Sequence, residues 1–184
     1  MAHSRRTQGT HPVRQIGPVV VLGLNIAAAP VGARAAEPTP VKIAVFNFEL
    51  EDSSPSAVFL SKPEAGASTM EKVNEAAREE LSRSGRYAVV DASKVDISSV
   101  AQSKTLRDCG GCEANIAQQL GAQQSLIGVL TKVTQTDYYV VIRIRDVRTG
   151  KVLDQQGANF AGDEQGWATG VRMLIRHQVL PAKD

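Results

Sequence analysis

Leu120-Gly-Ala-Gln-Gln-Ser-Leu-Ile-Gly-Val-Leu130 and Tyr139-Val-Val-Ile-Arg-Ile-Arg-Asp-Val-Arg-Thr-Gly-Lys-Val-Leu153 decide the fold. Gly121 ends whatever precedes it, and Ser125–Val133 is then too apolar and too short for anything but a buried strand. Gln135-Thr-Asp137 turns the chain. In Tyr138–Val147, Val140, Ile142 and Ile144 alternate with Val141, Arg143 and Arg145, the period of a strand with one buried face. Arg148-Thr-Gly150 supplies a hairpin turn with glycine where φ must be positive, and Lys151–Phe160 returns. Three antiparallel strands therefore form a C-terminal meander.

Working towards the N-terminus, Cys112–Leu120 reads as a short helix with Ile116, Ala117 and Leu120 inward. Ala92–Asp108 is polar and weakly patterned, a loop. Tyr87–Asp91 reads as a short strand. Before it, Met70, Val73, Ala77 and Leu81 recur at helical spacing, Ser68-Thr-Met-Glu71 has the form of a capping box, and Gly85 stops the helix. Val41–Leu50 reads as the first strand, and Glu51–Pro63 as a loop, mobile around Ser53-Ser54-Pro55-Ser56. A strand, a helix and a strand in succession imply parallel pairing. Towards the C-terminus, Asp163 or Glu164 opens a helix with Trp167, Val171, Leu174, Ile175 and Gln178 on one stripe. The expected order is β-α-β-(α)-β-β-β-α, one α+β domain with a mixed sheet.

Residues 1–35 hold Arg5, Arg6, Arg14 and Arg34 and no acid. Ile16–Val31 is apolar but interrupted by Pro18 and Pro30, and falls short of the roughly 20 apolar residues a spanning helix needs. Ala33-Arg34-Ala35 follows. A basic start, a short apolar stretch and small residues at a cleavage site make a secretory signal peptide cut near Ala35. Arg5-Arg6 fits a twin-arginine signal less well, because Thr7-Gln8-Gly9 is polar. The expected domains are thus a signal peptide over 1–35 and a periplasmic domain over 36–184, its core about 41–180. Removing residues 1–35 takes four of the 21 basic residues and none of the 19 acids, so a net charge of +2 becomes −2. Such a chain lacks the basic excess of a nucleic-acid binder. His3 and His11 leave as well, and His177 stays beside Arg176 near the end of the last helix.

Lys42-Ile-Ala-Val-Phe-Asn-Phe48, the Leu120-Gly-Ala strand segment and the Asp146-Val-Arg-Thr-Gly150 turn resemble the amino-terminal domain of TolB. The core of the curli-secretion lipoprotein CsgG is similar. With Cys109-Gly-Gly-Cys112 and the Glu164…Trp167 helix, residues 41–180 resemble a family of small exported proteobacterial proteins of unknown function. The resemblance implies an anticodon-binding-like α/β sandwich and a periplasmic setting, with envelope proteins as partners. It carries over no catalytic residue.

Three constellations could carry chemistry or contacts. Cys109 and Cys112 are the only cysteines, and an oxidising compartment favours a disulfide between them. Its short ring contributes less than the roughly 2–4 kcal/mol of a typical disulfide. A thiol ahead of a helix N-terminus could instead serve redox or sensing chemistry, although Glu113 opposes a thiolate. A metal would need further ligands, and none is assigned; nor is any cofactor. Arg143, Arg145, Arg148 and Lys151 cluster around the hairpin, either as a solvated edge or as a patch for an acidic partner. Tyr138 and Tyr139 are exposed-contact candidates, whereas the helical stripe places Trp167 in the core. Two functions follow: a non-enzymatic periplasmic interaction protein, or a thiol–disulfide protein using Cys109 and Cys112.

Overall fold

Three apolar layers in the chain order dictate one central sheet with helices on both faces. A computed structural model describes residues 39–55, 66–93, 95 and 105–180. The proposed signal peptide, residues 56–63 of the expected first loop and the middle of the Ala92–Asp108 loop lie outside the described residues. Strands β1 (Val41–Val45), β2 (Glu49–Asp52), β3 (Tyr87–Asp91), β4 (Gln124–Lys132), β5 (Asp137–Asp146) and β6 (Val152–Ala161) and helices α1 (Ala67–Arg83), α2 (Cys112–Gln119) and α3 (Trp167–Leu174) follow in the order β1-β2-α1-β3-α2-β4-β5-β6-α3. A π turn over Ile175–Val179 extends α3.

The sheet order is β3-β1-β4-β5-β6, with β2 also on β4. β1 runs parallel to β3 and β4, as strand-helix-strand units require, while β4, β5 and β6 form the antiparallel meander. Ile43, Val45, Leu126, Leu130, Val140, Ile142 and Ile144 meet Val73, Ala77 and Leu81 of α1 and Trp167, Val171 and Leu174 of α3. Ala44, Phe46, Ile127 and Val147 meet Ile116 and Ala117 of α2 on the opposite face. The chain is therefore an α+β domain with a mixed sheet, as its sequence pattern implies, and a sandwich, as the family resemblance implies.

Several details depart from the sequence expectation. The first strand does not run unbroken to Leu50. Val45 pairs with Leu126 and Glu49 with Val129, so Phe46, Asn47 and Phe48 stand against only Ile127 and Gly128. This extra residue is a bulge, and it turns Phe46 and Phe48 to opposite layers. The Phe48 N–H, released from the ladder, donates to Asn74 Oδ1 of α1 at 2.8 Å. Glu49–Asp52 then resumes as a strand where a loop was expected at Glu51. Ser54 is buried, with its N–H and hydroxyl both donating to Asp52 Oδ1.

The capping box does not form. Gly66 is the N-cap, without a side-chain hydrogen bond, and Ser68 already lies inside the helix. Gly85 does close that helix, at φ 68°. Leu120 and Gln178 are exposed rather than inward. At the other end, Asp163 accepts from the Gln165 N–H and opens a short turn into α3.

Candidate functional site

The period of β5 sorts the six candidate hairpin residues. Even positions face α1 and α3, and odd positions face the α2 side. Tyr138 is therefore core and not an exposed contact: it is 2% exposed, its hydroxyl donates to the Gly166 carbonyl at 3.0 Å, and its ring packs on Phe160 and Trp167. Burial pushes its phenol pKa up. Trp167 is buried, as its helical stripe predicts. Tyr139 lies half-buried on the other face, its hydroxyl over Gly157 of β6. Arg143, four residues on and on the same face, donates from Nε to Gln155 Oε1 at 2.9 Å.

Arg145 does not belong to a free basic patch. Its Nε donates to Glu113 Oε1 at 2.8 Å and its Nη1 to the Gly150 carbonyl at 2.6 Å. The Glu113 side chain is 2% exposed and that of Arg145 14%. One guanidinium thus ties the first turn of α2 to the β5–β6 turn. Arg148 and Lys151 remain exposed at that turn. Asp146 accepts from the N–H and hydroxyl of Thr149, which pulls its carboxyl pKa down.

Cys109 and Cys112 form a disulfide, with Cα atoms 5.6 Å apart. Gly110 and Gly111 sit at φ 68° and 107°, the left-handed region that larger residues resist. Cys109 Sγ accepts the Cys112 N–H at 3.1 Å, and Glu113 Oε2 lies 3.6 Å from the same sulfur. Two features that the sequence keeps apart, the Cys-Gly-Gly-Cys corner and the hairpin, meet through Glu113 and Arg145. A single acid in the first turn of a half-buried helix carries no sign of that role in the sequence. His177 is exposed in the π turn, on the opposite side of the sheet from the cysteines.

A cleft of about 280 Å³ opens at the carboxyl ends of β1 and β3, whose onward connections leave for opposite layers. Phe46, Phe48, Val95 and Leu106 line it. Ser93 also lines it, and around it Arg78 pairs with Asn47 and Asp91, and Glu49 with the Leu106 N–H and Arg107. None of these pairings presents a nucleophile beside a base.

β6 closes the sheet. Among the described residues it pairs only with β5, leaving the other edge of a ten-residue strand open. Val152–Ala161 contains no Lys, Arg or Pro, and Val152 and Leu153 are 47% and 50% exposed. Natural sheet edges usually carry such blocking residues.

Residues 41–179 match a family profile described as "Protein of unknown function (DUF2380)". The chain belongs to the DUF3280 family. No curated protein matches this DUF3280 member. Among solved structures it is similar to the PelC dodecamer from Paraburkholderia phytofirmans, at 16% identity and a TM-score of 0.50, over 81% of this chain and 93% of that one. It is also similar to the lipoprotein GNA1162 from Neisseria meningitidis, at 18% identity and a TM-score of 0.49, over 79% of this chain and 100% of that one. TolB from Acinetobacter baumannii is 18% identical, with a TM-score of 0.44, over 77% of this chain and 29% of TolB. At these identities the likeness is one of fold. No helix among the described residues is long and apolar enough to cross a membrane.

Proposed function

We propose that this DUF3280 protein is a non-enzymatic interaction module of the periplasm, and that it receives envelope proteins along β6 and the adjoining face of β5. The observation that carries the proposal is the open β6 edge, with Val152 and Leu153 exposed and no Lys, Arg or Pro along it, Asp154 being its one charged residue. An extended segment of a partner can add to such an edge through main-chain hydrogen bonds. Tyr139, Arg143, Arg148 and Lys151 flank the edge and supply side-chain selectivity; Arg145 serves the fold instead. Export to the periplasm rests on the signal-peptide pattern of residues 1–35. PelC, on a comparable fold, is a dodecamer, which is in keeping with a binding role. Thiol–disulfide exchange is the weaker reading, because the Glu113 carboxylate beside Cys109 opposes the thiolate that exchange needs.

The test places a photo-crosslinking residue at Gln155 on β6 and, as a control, at Glu75 on the exposed side of α1, in the exporting cell. Adducts specific to position 155, and lost in the Val152→Lys/Leu153→Lys variant, are the expected result. Equal labelling at both positions, or no adduct at 155, would overturn the edge as the binding surface. Both lysines sit at exposed positions, so folding stability should change by no more than about 0.5 kcal/mol.

A further inference from the structure

We propose that the Cys109–Cys112 corner, in its dithiol form, is a binding site for one thiophilic divalent cation of the Zn²⁺ type, with Glu113 as the third protein ligand. The sequence offers Cys-Gly-Gly-Cys as half a site and no obvious partner, since His177 lies on the other side of the sheet. The fold supplies the missing donor from the next residue. Cys109 Sγ, Cys112 Sγ and a Glu113 oxygen all lie within 4.8 Å of one another.

One donor separation of the oxidised chain already matches that of a shared ion. Zn–S bonds of about 2.3 Å and Zn–O bonds of about 2.0–2.2 Å at a tetrahedral centre separate the two donors by about 3.6 Å. Glu113 Oε2 stands 3.6 Å from Cys109 Sγ. The two oxygens of Glu113 have separate tasks. Oε1 is held by Arg145 Nε, which fixes the carboxylate and leaves Oε2 turned to the sulfur. A ligating carboxylate oriented by a hydrogen-bonded outer partner is the usual construction of a protein metal site. The Cys112 N–H already points at Cys109 Sγ, and the start of α2 favours negative charge on both sulfurs.

Electrostatics favours the ion over the free dithiolate. Two thiolates beside a buried carboxylate repel one another, and the one guanidinium of Arg145 offsets only part of that charge. A divalent cation cancels the rest. The fourth position is open to water, because the cysteines are half-buried rather than enclosed.

Two steps fill the site. A dithiol reductant gives two electrons and two protons to the disulfide, which breaks to two thiols while the reductant closes its own disulfide. Cation binding then releases both thiol protons to solvent and forms two metal–sulfur bonds and one metal–oxygen bond. In the oxidised chain the sulfurs are bonded to each other and the site does not exist.

The test uses the full chain reduced with a phosphine, which takes up oxygen from water as the disulfide opens and does not itself compete for the metal as a dithiol would. Co²⁺ is the spectroscopic probe. The expected result is one Co²⁺ per reduced chain with sulfur-to-metal charge-transfer absorption, displaced by equimolar Zn²⁺, and no such band in the oxidised chain or in Cys112→Ser. Glu113→Gln should weaken Zn²⁺ binding by at least the ~10–100-fold that loss of even an outer partner costs. Because that variant alters a buried pair, X-ray absorption on the Zn²⁺-loaded reduced wild type is a second readout. It should show two sulfurs at about 2.3 Å with oxygen at about 2.0–2.2 Å. Absence of the charge-transfer band, four sulfurs drawn from two chains, or a folded Glu113→Gln variant that binds as tightly as wild type would each overturn the proposal.

Discussion

The Phe48 ring lies directly over Gly128 of β4: a Cβ at position 128 would stand 2.2 Å from Phe48 Cε1. The bulge that ends β1 drives this ring into the α1/α3 core, and only glycine leaves room beneath it. Gly128→Ala should therefore destabilise the fold by about 1–3 kcal/mol through overpacking, measured by urea unfolding. Combined with Phe48→Leu, the alanine should cost clearly less than it does alone, because the obstructing ring is gone. Strict additivity in that double-mutant cycle would show that the contact is not what excludes a side chain at 128.

Arg145→Ala should be among the most damaging single changes at an incompletely buried residue. It strands the Glu113 carboxylate in a buried position and also removes the tie to the Gly150 carbonyl. Removing one partner of a buried pair costs about 3–5 kcal/mol, whereas replacing both is far milder. The double variant Arg145→Met/Glu113→Gln should thus recover much of the loss. Chemical denaturation of the oxidised protein measures both. An Arg145→Ala variant as stable as wild type would mean that Glu113 finds water when its partner leaves.

The meander was legible because its signals are local. Val140, Ile142 and Ile144 alternate with Val141, Arg143 and Arg145, and Gly150 marks the hairpin, at φ 68°. The single strand expected over Val41–Leu50 is broken for a related reason: the bulge at Phe46–Phe48 adds a residue that periodicity does not reveal. Asn74 was silent because its value lies in a backbone N–H distant in sequence, that of Phe48. Tyr138 and Tyr139 are adjacent and chemically alike, yet the same alternation that buries Val140, Ile142 and Ile144 sends Tyr138 inward and Tyr139 to the other face. The Glu113–Arg145 pair joins residues on different elements, a contact that a single sequence cannot show. Pairings across the fold, rather than residue types, made the candidate site.

Tyr138 and Gly170 form a second close packing. A Cβ on Gly170 would lie 2.4 Å from the Tyr138 hydroxyl oxygen, where α3 crosses β5. Gly170→Ala should lower stability by about 1–3 kcal/mol even though alanine favours helix. Tyr138→Phe alone should cost about 0.5–1.5 kcal/mol, the value of its hydrogen bond to Gly166. Together the two should cost less than their sum, because phenylalanine removes the clashing oxygen. Thermal unfolding of the four proteins measures the coupling, and a sum equal to or above the separate costs would refute it.

The acid limb of stability should report the junction of α1 with the π turn. Arg176 donates from Nε and Nη2 to the two oxygens of Glu80, at 2.8 and 2.9 Å, and these bonds hold the Glu80 carboxyl below its ordinary value of 4.5. Burial opposes the shift, and Arg83 and Arg172 reinforce it. A carboxyl whose pKa is depressed by folding contributes stability that is fully present above its unfolded value, and that is lost as pH falls through the folded one. Arg176→Gln should therefore lower stability at neutral pH, and only modestly because the arginine is half exposed. The gap between the two proteins should stay constant from about pH 7 to 5 and close as the carboxyl protonates below its ordinary value. Urea midpoints measured across that range decide it. A gap that persists unchanged in strong acid would assign the effect of Arg176 to packing rather than to its bond with Glu80.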